Sequence, residues 1–308
     1  MKVIFLGTPE FAETILRAVC ASRHRVVAVV TQPDKVNARG KKVVASPVKA
    51  AAEELGLPVY QFERISRDGV DVLRALNADI MVTAAYGQIL SREILSLCPH
   101  GVINAHGSIL PKYRGASPVQ CALLNGEPET GITVMKTEYE VDSGDIILIK
   151  KITLRGHENC AEVMDMLAKA GGEAIVEALD SIEDGRAAFT PQDHSQATFC
   201  KKINKEDGKI DFSLDAGEIV NRVRAFTPWP SAYCESPYGR LKILRAHAID
   251  GDFEGEFGEI IESDKNGVSV KCGKGALVPT EVQLEGGKAM DIASFLRGRA
   301  LAKGSILK

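Results

Sequence analysis

The sequence predicts an α/β fold, a doubly wound and mainly parallel sheet, followed by a smaller unit of short β-strands. Three observations carry this prediction. Apolar runs of strand length alternate with helix-period segments through the first half of the chain. The alternation stops after Thr130. Beyond a polar stretch at residues 184–207, short strand-like runs recur between turn signals.

Lys2–Leu6 (KVIFL) is a short apolar run ending at Gly7-Thr8-Pro9, and Phe11, Ile15, Leu16 and Val19 then recur at helical spacing. Arg25–Thr31 (RVVAVVT) is a second strand. Ser46-Pro47 opens a helix, with Ser as N-cap, Pro in the first turn and Gly56 as the stop. Asp79–Ala85 and Gly101–Asn104 are further apolar strands. Gly131–Thr137 and Asp145–Ile152 flank the turn-rich stretch Glu138–Gly144, and Glu158–Leu179 reads as a long helix. Residues 184–207 lose periodicity and mix Gly, Pro, Gln, Asp and Ser, the composition of a linker. Past it, Ile219, Val220, Val223 and Phe226 share a helical face. Leu241–Ala248, Phe257–Glu262, Val268–Cys272 and Leu277–Gln283 are short strands suited to a small barrel or sandwich, and Asp291–Leu301 reads as a closing helix. The boundaries drawn are 1–188 for a first domain, 189–206 for a linker and 207–308 for a second domain.

Composition narrows the function classes. Hydrophobic residues at 45% and charged residues at 26% are those of a globular protein, and 308 residues suit two cores. Neither a signal peptide nor an apolar membrane span is read in the chain, so no membrane partner and a cytoplasmic location are expected. Cys20, Cys98, Cys121, Cys160, Cys200, Cys234 and Cys272 are scattered without a C-x-x-C pair, which reads as reduced, largely buried thiols. A net charge of −3 excludes a uniformly basic coat but leaves room for a local patch. The densest one is Lys35–Lys42, with Lys35, Arg39, Lys41 and Lys42. A run of this kind is more often a solvated surface. Between a strand and a capped helix, however, it can reach past the sheet edge toward phosphates.

Gly7-Thr8-Pro9-Glu10 sits where a dinucleotide fingerprint would sit. It lacks the second glycine that pyrophosphate needs, so it reads as a structural turn and argues against a nicotinamide enzyme. The strongest chemical cluster is Asn104-Ala105-His106-Gly107-Ser108-Ile109-Leu110-Pro111, at the C-terminal end of a strand, where open α/β sheets bind ligands. If strand geometry persists, Asn104 and His106 face one side. An amide donor beside an imidazole can hold an oxyanion and move a proton. An unaided Asn-x-His is more often a helix cap and a loop histidine. Asp142, in Val141-Asp142-Ser143-Gly144-Asp145, reads alone as a solvated turn residue; it gains chemistry only if the fold brings it to His106. His24, His100, His157, His194 and His247 have no comparable neighbours in sequence.

Asn104-x-His106-Gly107-Ser108-x-Leu110-Pro111, then Tyr113-Arg114-Gly115-Ala116-Ser117-Pro118 and Val141-Asp142-Ser143-Gly144-Asp145, resembles the folate-dependent formyltransferases. The resemblance spans essentially the whole chain, through Thr31-Gln32-Pro33-Asp34, Arg39-Gly40-Lys41-Lys42, Ala85-Tyr86-Gly87 and Arg224-Ala225-Phe226-Thr227-Pro228-Trp229-Pro230. It implies a Rossmann-like catalytic domain, an OB-like barrel and transfer of a formyl group from 10-formyltetrahydrofolate to the α-amine of methionine on initiator tRNA. By the same resemblance Asn104, His106 and Asp142 are catalytic, and Ser108, Ile109, Leu110 and Pro111 belong to the folate site. Arg39, Lys41 and Lys42 reach the tRNA, the barrel helps hold it, and a monomer without metal is expected. Two departures stand out. Ile109 replaces the commoner Leu, a volume-conserving change. Val36-Asn37-Ala38 replaces a Pro- and Gly-containing stretch, which leaves the loop conformation open. The rivals are formyl transfer to a sugar-nucleotide or glycinamide ribonucleotide amine, formyl-folate hydrolysis, and a noncatalytic RNA-binding protein. The last is disfavoured by the acidic balance and the 6% aromatic content.

Overall fold

The apolar runs of the first half line up in a seven-stranded sheet in the order Ile146–Thr153, Glu129–Lys136, Val102–His106, Ile80–Ala84, Lys2–Gly7, Arg25–Thr31, Val59–Gln61. The five from Val102–His106 to Val59–Gln61 are parallel, and the two at the other edge are antiparallel. The fold is therefore mixed α/β with a dominant parallel sheet, as the alternation of elements predicts. The computed structural model describes residues 1–36 and 43–308, in two units. Met1–Pro118, Glu129–Thr153 and Met164–Cys200 form the first; Val119–Pro128, Leu154–Val163 and Lys201–Lys308 form the second.

In the first unit, Val3, Ile4, Phe5 and Leu6 are all fully buried, so both faces of the central strand are covered, as parallel sheets require. The helix Glu10–Cys20 buries Phe11, Ala12, Ile15, Leu16 and Val19, the face its spacing predicts. Each large apolar side chain there contributes about 1.5–3 kcal/mol. The helix Pro47–Glu54 starts at Ser46, whose hydroxyl accepts the Lys49 N–H at 3.1 Å, and Gly56 follows its end with φ +66°.

Three differences from the sequence reading matter. The strand read as Gly101–Asn104 runs on to His106, which settles the geometry of the polar cluster. Val59–Gln61 is a three-residue edge strand, too short to leave a periodic signal. Residues 189–200, read as linker, belong to the first unit: Thr190 bridges Ile146, and Phe199–Cys200 pairs in parallel with Arg114–Gly115. Such bonds join residues far apart in sequence, so local composition does not announce them.

The second unit has an antiparallel sheet in the order Ala232–Ser236, Gly239–Ile249, Ala276–Leu284, Val268–Lys271, Ile260–Ser263, with Met290–Asp291 also paired to Ala276–Leu284. Ala232–Ser236 was absent from the sequence reading; the polar Glu235 and Ser236 interrupt its apolar content. The helix Ala216–Phe226, capped by Asp215 on the Gly217 N–H, packs Ile219 and Val223 into a core with Ile243, Val270, Leu277 and Phe295.

Cys98, Cys160, Cys200, Cys234 and Cys272 are buried. Burial pushes the thiols of Cys98 and Cys272 up to about 11 and those of Cys160 and Cys234 up to about 12. No helix among the described residues is long and apolar enough to cross a membrane.

Candidate active site

The strand Val102–His106 carries Asn104 and His106 to the C-terminal end of the parallel sheet, with Ala105 pointing to the opposite face. The Thr83 hydroxyl, on the neighbouring parallel strand, donates to Asn104 Oδ1 at 2.8 Å. This bond fixes the amide and leaves Nδ2 as its outward donor, with no partner among the described residues. A donor held ready in this way is what a developing oxyanion needs.

His106 is buried, and its Nε2 lies 2.9 Å from the Tyr113 carbonyl. A carbonyl only accepts, so Nε2 carries a proton and Nδ1 is the other functional end. Nδ1 faces Asp142 Oδ2 at 3.5 Å. The structure thus brings Asp142 to His106 across 36 residues of sequence, the condition that lifts it from an ordinary turn residue. A carboxylate at this position faces Nδ1 and fixes the plane of the ring.

Asp142 is itself held. Its Oδ2 accepts the Gly115 N–H at 2.8 Å, and its backbone has φ +50°, a left-handed conformation that local structure must impose on a non-glycine residue. Two glycines make the approach possible. Gly115 has φ +109°, and a Cβ there would meet the Cys200 carbonyl oxygen at 2.6 Å; a Cβ at Gly144 would overlap the Lys136 carbonyl. Neither position admits a side chain without moving backbone.

The turn after the strand is tied down from below. The Thr133 hydroxyl donates to the Ser108 carbonyl at 2.7 Å and accepts the Leu110 N–H at 3.1 Å, and the Ser108 hydroxyl donates to the Lys112 carbonyl at 2.6 Å. Ser108 and Leu110 are buried, whereas Ile109 and Pro111 are half-buried. The first two therefore shape the turn from inside. Arg39, Lys41 and Lys42 lie outside the described residues.

The sequence assigns no role to Thr83, Thr133, Arg114 or Gln192, although Arg114 stands in the motif that carries the family resemblance. Gln192 is buried beneath the Asp142 turn. Its Nε2 donates to the carbonyls of Asp142 at 2.9 Å and Gly144 at 2.7 Å, and its Oε1 accepts from Arg114. Only the polar stretch Pro191-Gln192-Asp193 marks it in sequence, and that pattern is ordinary for a loop. One trio of metal-capable side chains comes together among the described residues, His24, Asp180 and Glu183. The Arg23 guanidinium already lies 2.5 Å from Asp180 and 3.3 Å from Glu183. It shares no member with the cluster at Asn104.

Comparison with known proteins bears on the same residues. Residues 1–179 match the model of the formyl transferase family, and residues 202–300 match that of the formyl transferase C-terminal domain. The chain is similar to the methionyl-tRNA formyltransferase of Agathobacter rectalis, at 44% identity over 99% of both chains. It is similar to that of Desulfotalea psychrophila at 40% identity, over 100% of this chain and 96% of the relative. Among solved structures it resembles WlaRD, a sugar 3N-formyl transferase crystallised in the presence of dTDP and 5-N-formyl-THF. The TM-score there is 0.66 at 18% identity, over 91% of this chain and 97% of that one, a likeness of fold.

Proposed function

The chain belongs to the formyl transferase family, and from that premise we propose that Asn104, His106 and Asp142 carry formyl transfer from 10-formyltetrahydrofolate to the α-amine of methionyl initiator tRNA. The observation that carries this reading is the linkage of His106 Nδ1 to Asp142 Oδ2, held by Gly115, on the strand that presents Asn104.

In this reading the neutral amine attacks the formyl carbon. The Asn104 amide donates to the oxygen as the carbonyl opens to a tetrahedral adduct, and His106, when it carries a proton on Nδ1, shares that proton with the same oxygen across its loose 3.5 Å approach to Asp142. The Asp142 carboxylate holds His106 in orientation and accepts the proton that the attacking nitrogen sheds. The bond from carbon to the folate nitrogen then breaks, and that nitrogen takes up a proton, so formyl amide and tetrahydrofolate leave with the charge balanced. A single ordered oxyanion donor is worth roughly 3 kcal/mol in the transition state.

The remaining roles follow the same reading. Ile109 and Pro111 stand at the folate side of the turn, and Ser108 and Leu110 hold its shape. Arg39, Lys41 and Lys42 grip acceptor-stem phosphates, which position a nucleic acid without reading its bases. The catalytic domain closes with the segment that ends at Cys200, and the antiparallel sheet of the second unit is an OB-like barrel that steadies the tRNA. The enzyme acts as a monomer in the cytoplasm.

The test is choice of acceptor. Purified protein is given 10-formyltetrahydrofolate with methionyl initiator tRNA, with an amino-sugar nucleotide, or with no acceptor. Formyl-methionyl-tRNA as the only formylated product is expected. Formylation of the sugar, or release of formate without acceptor, would replace the reading with one of its rivals.

A further inference from the structure

Two backbone segments meet at the Asp142 carboxylate: the turn 142–144 that carries it, and the segment Arg114–Gly115 whose Gly115 N–H holds it. Both are attached to one buried side chain. Gln192, 6% exposed, uses both amide hydrogens on the turn, at the Asp142 and Gly144 carbonyls. Its oxygen accepts from Arg114 Nε at 3.2 Å and Nη2 at 2.7 Å. Arg114 is 4% exposed, and its Nη2 also lies 3.1 Å from His194 Nδ1. Among the described residues no carboxylate forms an ion pair with it.

This arrangement has a direction. A guanidinium on the oxygen of an amide polarises it and strengthens its two N–H donors, an effect enlarged by burial. Those donors point at the turn that must keep Asp142 at φ +50°. The peptide that Arg114 anchors is also the one that delivers the Gly115 N–H. Gln192 thus sets the separation of the two segments, and with it the reach of Oδ2 toward His106 Nδ1.

We propose that Gln192, backed by Arg114, is a positioning residue for the transfer reaction, acting through Asp142 and touching neither substrate. The inference rests on the assignment of Asp142 as catalytic, and the experiment separates the two. Turnover at saturating substrates and the KM for each substrate are measured for Gln192→Ala, Gln192→Glu, Asp142→Asn and the paired variants. Gln192→Glu keeps an acceptor for Arg114, and so a folded clamp, but turns a carboxylate toward two carbonyl oxygens.

Both Gln192 variants are expected to lose turnover by roughly 10²-fold, the scale of a misplacement of about 1 Å. KM for folate and for tRNA should stay within about threefold, since no ground-state contact is removed. Placed in the Asp142→Asn background, either substitution should cost less than about twofold more, because its effect passes through the carboxylate already lost. Wild-type turnover in Gln192→Glu overturns the proposal. So does an equal fold-loss in both backgrounds, which is the signature of a merely structural role. Wild-type turnover in Asp142→Asn alone would instead remove the assignment of Asp142, and the proposal with it.

Discussion

The two sheets differ in burial and in their treatment of polar groups: Ile80–Ala84 is buried throughout, whereas Gly239–Ile249 is buried only at Leu241 and Ile243. In the antiparallel sheet of the second unit, the buried polar groups are local. Lys271 Nζ donates to the carbonyl of the next residue, Cys272, and the Cys234 thiol lies against the Leu241 carbonyl of the adjacent strand. At one end of the first unit's sheet, Thr83, His106, Ser108, Arg114, Thr133 and Gln192 are buried and reach partners from 21 to 78 residues away. A buried polar group left unpaired is expensive, so a set this dense persists only where the fold satisfies it mutually. Connected burial of polar groups, more than burial itself, marks where the chemistry lies.

Three substitutions or conditions break or sharpen this contrast. Asn104→Ala, at the connected end, should lower turnover roughly 10²–10³-fold while the melting temperature hardly moves. An active variant, measured by formylation of methionyl-tRNA, would show that the cluster is architectural. Ile219→Ala, in the core of the second unit, should cost about 2–5 kcal/mol of stability and leave turnover per folded molecule unchanged. Urea unfolding followed by fluorescence and by activity measures both, and a loss of turnover at full folding would erase the division of labour.

A last test concerns pH, which acts on several groups at once. The thiols of Cys160 and Cys234 are raised to about 12 by burial, and unfolding returns them to ordinary values near 9. Between those limits the native state holds protons that the unfolded state releases, so stability falls as pH rises from about 9 toward 12. Cys272 adds to this in the second unit, against Cys98, Cys20 and Tyr86, which burial raises in the first. Denaturation at stepped pH should show the second unit weakening more. Equal weakening would place the buried thiols outside the contrast.

Much of this was legible in the sequence. Runs such as Arg25–Thr31 and the helix spacing of Phe11, Ile15, Leu16 and Val19 give the α/β sheet because burial on one or both faces imposes a period. Asn104 and His106 could be read because they end an apolar strand. Asp142 could not be read from its neighbours: a turn aspartate looks the same whether or not a histidine waits beside it, and only resemblance to a family joined them. Gln192 left no mark. Its bonds reach 48 to 78 residues back, and a polar stretch without period reads as connection. Side chains that work through distant hydrogen bonds have no local signature to give.

The return of residues 190–200 to the first unit also sets an order of events during synthesis. The strands and the three proposed catalytic side chains have all left the ribosome once Thr153 is out, and early domains fold as they emerge. Yet Gln192, Thr198, whose carbonyl accepts the Arg114 N–H, and Cys200 of the partner strand come 39, 45 and 47 residues later. A nascent chain can therefore hold a formed sheet with an uncinched site, which closes only when the chain doubles back over the turn.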